Sequence, residues 1–211
     1  MLSRRLVFML LLLGAAPAAL TAAPRESMSA VSIRIHDYSQ FDGKQLQQAQ
    51  RQVSETYRAI GVLLDWRDVV RPAEVAAGRA EWPTDPQATV TIVVLSDDMA
   101  DRQRIPAHIA GYAPITREHG GRIAFVVGQR ARRIATDGRV EPYMVLAGVI
   151  SHEVAHLLMP ERSHSDVGLM RAYWTPDEFR RIRRNHFSTA EASAIRQSIR
   201  LIGGGPSRVA D

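Results

Sequence analysis

The stretch His152-Glu153-Val154-Ala155-His156 decides how the chain is read. Two histidines four residues apart, with a glutamate directly after the first, let one helix hold a metal ion and a general base together. At about 100° per residue, positions i and i+4 share a face, so both imidazoles can address the same ion. The flanks favour a helix: Glu141 and Pro142 make a good first turn, and Tyr143 to Ser151 holds no proline and a single glycine, Gly148. Val149, Ile150, Ala155, Leu157 and Leu158 make the rest of that helix apolar. It is therefore expected to be buried, with its polar residues facing an internal cleft.

Each residue type has a chemical reason. Neutral imidazole is a good zinc ligand, and a catalytic site uses three protein ligands so that the fourth position stays open for water. Zinc lowers that water's pKa to about 7 and polarises a bound carbonyl. Glu153, adjacent to His152 but turned round the helix, can take a proton from water and pass it to a leaving amine. A third ligand must come from downstream, in Leu157-Leu158-Met159-Pro160-Glu161-Arg162-Ser163-His164-Ser165-Asp166-Val167-Gly168-Leu169-Met170. Pro160 stops the helix, the chain turns, and His164 arrives on the far side. If the third ligand were acidic instead, Glu161, Asp166 or Glu178 would supply it, and the chain would belong to a different class of zinc hydrolase.

These residues resemble the metzincin clan of zinc endopeptidases. In that clan a third histidine follows the helix, a serine after it is typical of the matrixin branch, and a methionine turn lies beneath the metal. The resemblance implies zinc ligands His152, His156 and His164, Glu153 as the catalytic acid and base, and Met170 as the methionine of the turn. It also implies an α+β fold: a twisted, mostly parallel β-sheet with an antiparallel edge strand, an active-site helix, the methionine turn and C-terminal helices. The spacing diverges from the clan. Seven residues separate His156 from His164 where the clan has five, Met159-Pro160 stands in the region where the clan has a glycine, and only five residues lie between His164 and Met170. A longer first loop relieves the need for a glycine in a left-handed conformation. Tyr173 is similar to the tyrosine that stabilises the oxyanion in some metzincins, although it stands three residues after Met170 rather than two; packing is its other expected role.

The order of elements extends the resemblance. Val31, Ile33 and Ile35 alternate with polar residues as a first strand, and Leu46, Ala49, Val53, Tyr57 and Ile60 follow helical spacing up to Gly61. Val62, Leu64 and Trp66 alternate as a second strand, and 69–86 is a proline-containing surface excursion. Thr89 to Leu95 is an apolar third strand buried on both faces, and Arg122 to Val127 a further strand that feeds through Gly128 to Gly138 into the histidine helix. By resemblance, Gly111, Tyr112 and Ala113 form the edge strand above the metal, and a peptide substrate pairs with that strand through backbone hydrogen bonds. Thr175-Pro176-Asp177-Glu178 and Ser188-Thr189-Ala190-Glu191 are capping boxes, opening helices to about Asn185 and about Ile202.

The N-terminal 23 residues read as a signal peptide: Arg4 and Arg5, an apolar run from Leu6 to Leu13, then small residues to Ala23. A secreted or periplasmic location follows, with residues 24–211 as one zinc metalloprotease-like domain and no stable membrane insertion after cleavage. There is no cysteine, which excludes disulfides, a lipoprotein anchor and a cysteine-based latency switch. Without Arg4 and Arg5, 25 basic residues face 22 acidic ones, a net charge of +3. No nucleic-acid motif is present, and the cluster Arg180, Arg181, Arg183 and Arg184 reads as a solvated helix face. Nor does any run of acidic residues argue for a structural calcium. Two functions fit: a zinc endopeptidase acting on a peptide or protein substrate, or a non-catalytic domain that zinc stabilises for binding a partner. The oligomeric state, cleavage specificity and regulation leave no mark in the sequence.

Overall fold

The alternation of Val31, Ile33 and Ile35 builds the first strand, β1 (Ser29–Asp37), of a computed structural model that describes residues 29–71, 89–114, 122–159, 164–184 and 186–203. The signal segment, most of the 69–86 excursion and Pro160 to Ser163 lie outside the described residues. Helix α1 (Gly43–Arg58) opens where the Asp42 carboxylate accepts a hydrogen bond from the Gln45 amide, and buries Leu46, Ala49, Val53 and Tyr57 along one stripe. Gly61, at φ +79°, takes the left-handed conformation that turns the chain back into β2 (Val62–Trp66).

The sheet contains four parallel strands and one antiparallel edge among the described residues. β2 pairs with one side of β1, and β3 (Val90–Leu95) pairs with the other. All six residues of β3 are buried, as its unbroken apolar sequence implies. β5 (Ile123–Val127) lies parallel to β3, and β4 (Gly111–Tyr112) runs antiparallel along β5, giving the order β2-β1-β3-β5-β4. The fold is therefore α+β with a mostly parallel sheet. The edge strand is shorter than the expected one, since Ala113 lies past its last paired residue.

Two helices were not foreseen from the sequence. α2 (Asp97–Arg102) follows β3, capped by the Ser96 hydroxyl. α3 (Gly128–Gly138) occupies the stretch expected as a connection: it buries Arg130, Ala131 and Ala135 and ends at Arg139 in the left-handed region, φ 48°. A tight approach explains its first glycine, because a Cβ on Gly128 would stand 2.3 Å from Ser39 Oγ.

The histidine helix is α4 (Pro142–Leu158), with proline in its first turn. Twelve of its 17 residues are buried, more than a single face provides, because α1 and α3 flank it while β5 lies against it. Side chains of α1 fix it at two levels. The Gln45 side-chain carbonyl accepts from the Tyr143 amide at 3.0 Å, satisfying a donor that the first turn leaves over, and Tyr57 Oη donates to the Ser151 carbonyl at 2.9 Å.

Both capping boxes form. Thr175 and Glu178 bond reciprocally at the start of α5 (Pro176–Arg180), and Ser188 and Glu191 do the same ahead of α6 (Thr189–Gly203). α5 is shorter than expected. The Arg181 amide divides its hydrogen bond between the Asp177 and Glu178 carbonyls, and the chain tightens into a 3₁₀ turn over Ile182–Arg184. That turn keeps Phe179 and Ile182 both in the core while the four arginines stay outside. Among the described residues, no helix is long and apolar enough to cross a membrane.

Candidate metal centre and cleft

His152 and His156 stand one turn apart on α4, and their Nε2 atoms approach to 2.9 Å. His164, returning after the helix end, brings its own Nε2 to 3.3 Å from that of His156. One nitrogen from each ring lies within 4.8 Å of the others, close enough to bind a single metal ion. Adjacent nitrogens on a tetrahedral ion, with metal–nitrogen bonds of about 2.0–2.1 Å, are separated by roughly 3.3 Å. The donor set therefore fits zinc, and three imidazoles leave one coordination position open. Of the acidic alternatives, Glu178 is engaged by Thr175 and Arg171 and Asp166 does not join the three histidines; Glu161 lies outside the described residues.

The turn that carries Met170 supplies more than packing. Gly168–Met170 forms a 3₁₀ turn in which Met170 is fully buried, and the Ser165 amide closes the loop on the Met170 carbonyl at 2.9 Å. Within that turn the Leu169 carbonyl lies 2.9 Å from His152 Nδ1. A carbonyl can only accept, so Nδ1 carries the hydrogen and Nε2 presents its lone pair to the ion site. Burial also lowers the pKa of His152, against the pull of that hydrogen bond, so the ring tends to the neutral form a ligand needs. Gly168 makes the turn possible at φ +76°, with the His186 carbonyl only 2.7 Å from where a Cβ would be.

Glu153 is 6 % exposed, and burial pushes its carboxyl up to about 8. A cation held by the neighbouring imidazoles would draw that value back down. The edge strand lies directly against it. A Cβ built on Gly111 would stand 2.5 Å from Val149 Cγ1 and 2.9 Å from Glu153 Oε1, so this contact is possible only for glycine. The next residue, Tyr112, stacks on Phe125 of β5 with centroids 4.8 Å apart and donates from its hydroxyl to Gln103 Oε1 at 2.8 Å.

A cleft of about 810 Å³ runs between these elements. Its floor is α4, with His152, Glu153 and His156, and Gly111, Tyr112 and Ala113 lie on its wall. Tyr173 lines it too and is 81 % exposed, so the packing role expected for this side chain does not hold. At the far end Trp174 and Phe179 lie against Gly148, where an added Cβ would meet their rings at 2.9 and 3.0 Å. Eight of the nine residues singled out from the sequence line this cleft; Met170 does not, and the turn reaches His152 through the Leu169 carbonyl instead. Sequence reading missed the wall formed by Gln103 to Ala110, Ile134 of α3, and His108, for which no spacing gave a signal. The helical spacing of Ala131, Ile134 and Ala135 was the one clue to α3.

No protein-family model matches the chain, and no curated protein matches it in sequence.

Proposed function

We propose that the chain is a zinc-dependent endopeptidase of metzincin type, exported to the periplasm or beyond. The observation that carries this is the convergence of three imidazole nitrogens beside a buried carboxylate on the same helix. His152, His156 and His164 would hold the ion. Zinc, if held there, would supply Lewis acidity, lowering the pKa of water and polarising a carbonyl. Glu153 accepts the proton of the attacking water and returns it to the departing amine. Its burial keeps bulk solvent from competing for that proton.

The remaining residues orient the substrate. β4 ends the sheet and lines the cleft, so an extended peptide laid along its outer side would add a strand through main-chain hydrogen bonds. Tyr173 projects into the cleft from the segment after the methionine turn and can contact the substrate or its oxyanion. The order of strands and helices, the edge strand over the catalytic glutamate and the methionine turn under the histidines all support the resemblance to metzincins. A non-catalytic zinc domain has no use for a buried carboxylate beside an open coordination position.

Glu153→Gln separates these functions. The variant keeps shape and zinc but has no carboxylate base, and its turnover of a peptide library should fall by about 10² or more. Parent-like cleavage by the variant would remove Glu153 from the mechanism, and a parent that binds zinc but cleaves no peptide would leave the non-catalytic reading.

A further inference from the structure

Arg130 is a buried cation at 7 % exposure, and the carboxylates and histidines of the site do not account for it. It stands on α3 and points into the inside of the loop that precedes the edge strand. Its Nη1 donates to the Pro106 carbonyl at 2.6 Å and the Ile109 carbonyl at 2.7 Å, and its Nη2 donates to the Ile105 carbonyl at 2.9 Å. Three carbonyls of one short segment thus turn inward onto a single guanidinium. The outer side of the same segment, Ile105 to Ala110, is the wall of the cleft opposite the histidine helix.

The loop is fixed again where it enters the sheet. The Ala110 carbonyl accepts from the Val127 amide at 2.8 Å, and Tyr112 Oη closes the loop's neck on Gln103 at 2.8 Å. Between these two ties the segment contains almost no repeating hydrogen bonding of its own: the Ile109 amide reaches Pro106, and the Ile105 amide reaches back to α2. A planar fork with fixed donor directions can hold several carbonyls at set positions, as a lysine ammonium cannot. Hydrogen bonds from a charged guanidinium are also stronger than neutral ones, and here there are three.

We infer that Arg130 is the positioning residue of the cleft: by binding the carbonyls of Ile105, Pro106 and Ile109, it sets the height of the wall and of β4 above Glu153, and so the path of the peptide. This rests on the proposed peptidase function. Arg130 touches neither the ion site nor the reacting atoms, so its loss acts through substrate binding and leaves the acid and base chemistry in place.

The test compares the parent with Arg130→Met and Arg130→Lys in steady-state cleavage of one peptide, together with zinc content and hydrogen exchange of the amides from 105 to 112. Arg130→Met should raise KM by about tenfold, the lower end of what a lost charge-assisted hydrogen bond is worth. Its kcat should stay within about twofold, its zinc content should match the parent, and the loop amides should exchange faster. Arg130→Lys should fall between the two, and it carries the test alone should Arg130→Met fail to fold. An active parent beside variants with unchanged KM and unchanged exchange overturns the role of Arg130 alone; so does a loss of kcat with KM unmoved. A parent that binds zinc but cleaves nothing overturns the proposed function, and the positioning role falls with it.

Discussion

Replacing Gly111 with alanine adds one methyl group at the closest approach between the edge strand and the histidine helix. That Cβ would stand 2.5 Å from Val149 Cγ1 and 2.9 Å from Glu153 Oε1, against an ordinary contact above 3.4 Å. Either β4 lifts off α4 by several tenths of an ångström or more, or Val149 and the Glu153 carboxylate turn away. Overpacking of this kind costs about 1–3 kcal/mol, and the smaller entropy of the unfolded alanine chain returns about 0.4–1 kcal/mol. A net loss of ~1–2 kcal/mol lowers Tm by roughly 2–8 °C in a domain of this size. The catalytic effect should be larger, because a misplacement approaching 1 Å costs up to about 10²-fold. The assay is kcat/KM on a peptide substrate beside a thermal melt and a zinc determination. Activity should drop roughly ten- to hundredfold with zinc content unchanged, since the new methyl group does not touch the histidines. Gly148→Ala is the control: its Cβ meets the rings of Trp174 and Phe179 and not Glu153, so it should cost stability with less loss of turnover. A Gly111→Ala protein with parental Tm and parental kcat/KM would refute the placement of β4 over Glu153.

Two further outcomes follow from the same geometry. Burial raises the folded-state pKa of Glu153 from 4.5 to about 8, so the metal-free folded chain binds a proton more tightly there than the unfolded chain does. Stability from this group is complete below about pH 4.5 and is lost as pH rises towards 8, so urea titrations of metal-free parent should weaken across that window while Glu153→Gln does not. Equal slopes for the two proteins would remove the desolvated carboxyl. Met170 is fully buried, so Met170→Leu should cost less than about 1.5 kcal/mol and Met170→Ala about 2–5 kcal/mol by chemical denaturation. Identical costs for the two would mean that the methionine turn is not packed as described.

Much of this molecule was legible in its sequence where one periodicity dominated. β1 and β3 announce themselves by alternation and by an unbroken apolar run, and the stripe from Leu46 to Tyr57 specifies α1. The capping boxes at Thr175 and Ser188 set two helix starts to the residue. The candidate centre was legible because a pentapeptide on one helix carries two of the three converging histidines and the carboxylate.

What escaped reading depends on tertiary contacts. α3 begins and ends in glycine and carries three arginines, so its sequence looks like a connection. Its helix is held instead by α4 and by the buried guanidinium of Arg130. The need for glycine at 111 is set by side chains on another element, and the tie from the Leu169 carbonyl to His152 Nδ1 spans 17 residues, with a main-chain acceptor that no side-chain pattern encodes. Tyr173 was expected chiefly to pack, and its exposure in the cleft, which no local pattern encodes, overturns that.

The decisive measurement is metal content by mass spectrometry on the purified chain and on its His164→Ala variant. Three converging imidazoles predict about one zinc per parent chain and a clear loss in the variant, because two histidines and water hold the ion far less tightly. Full zinc retention by His164→Ala would move the third ligand elsewhere, and a parent without zinc even after reconstitution would leave α4 a purely structural helix.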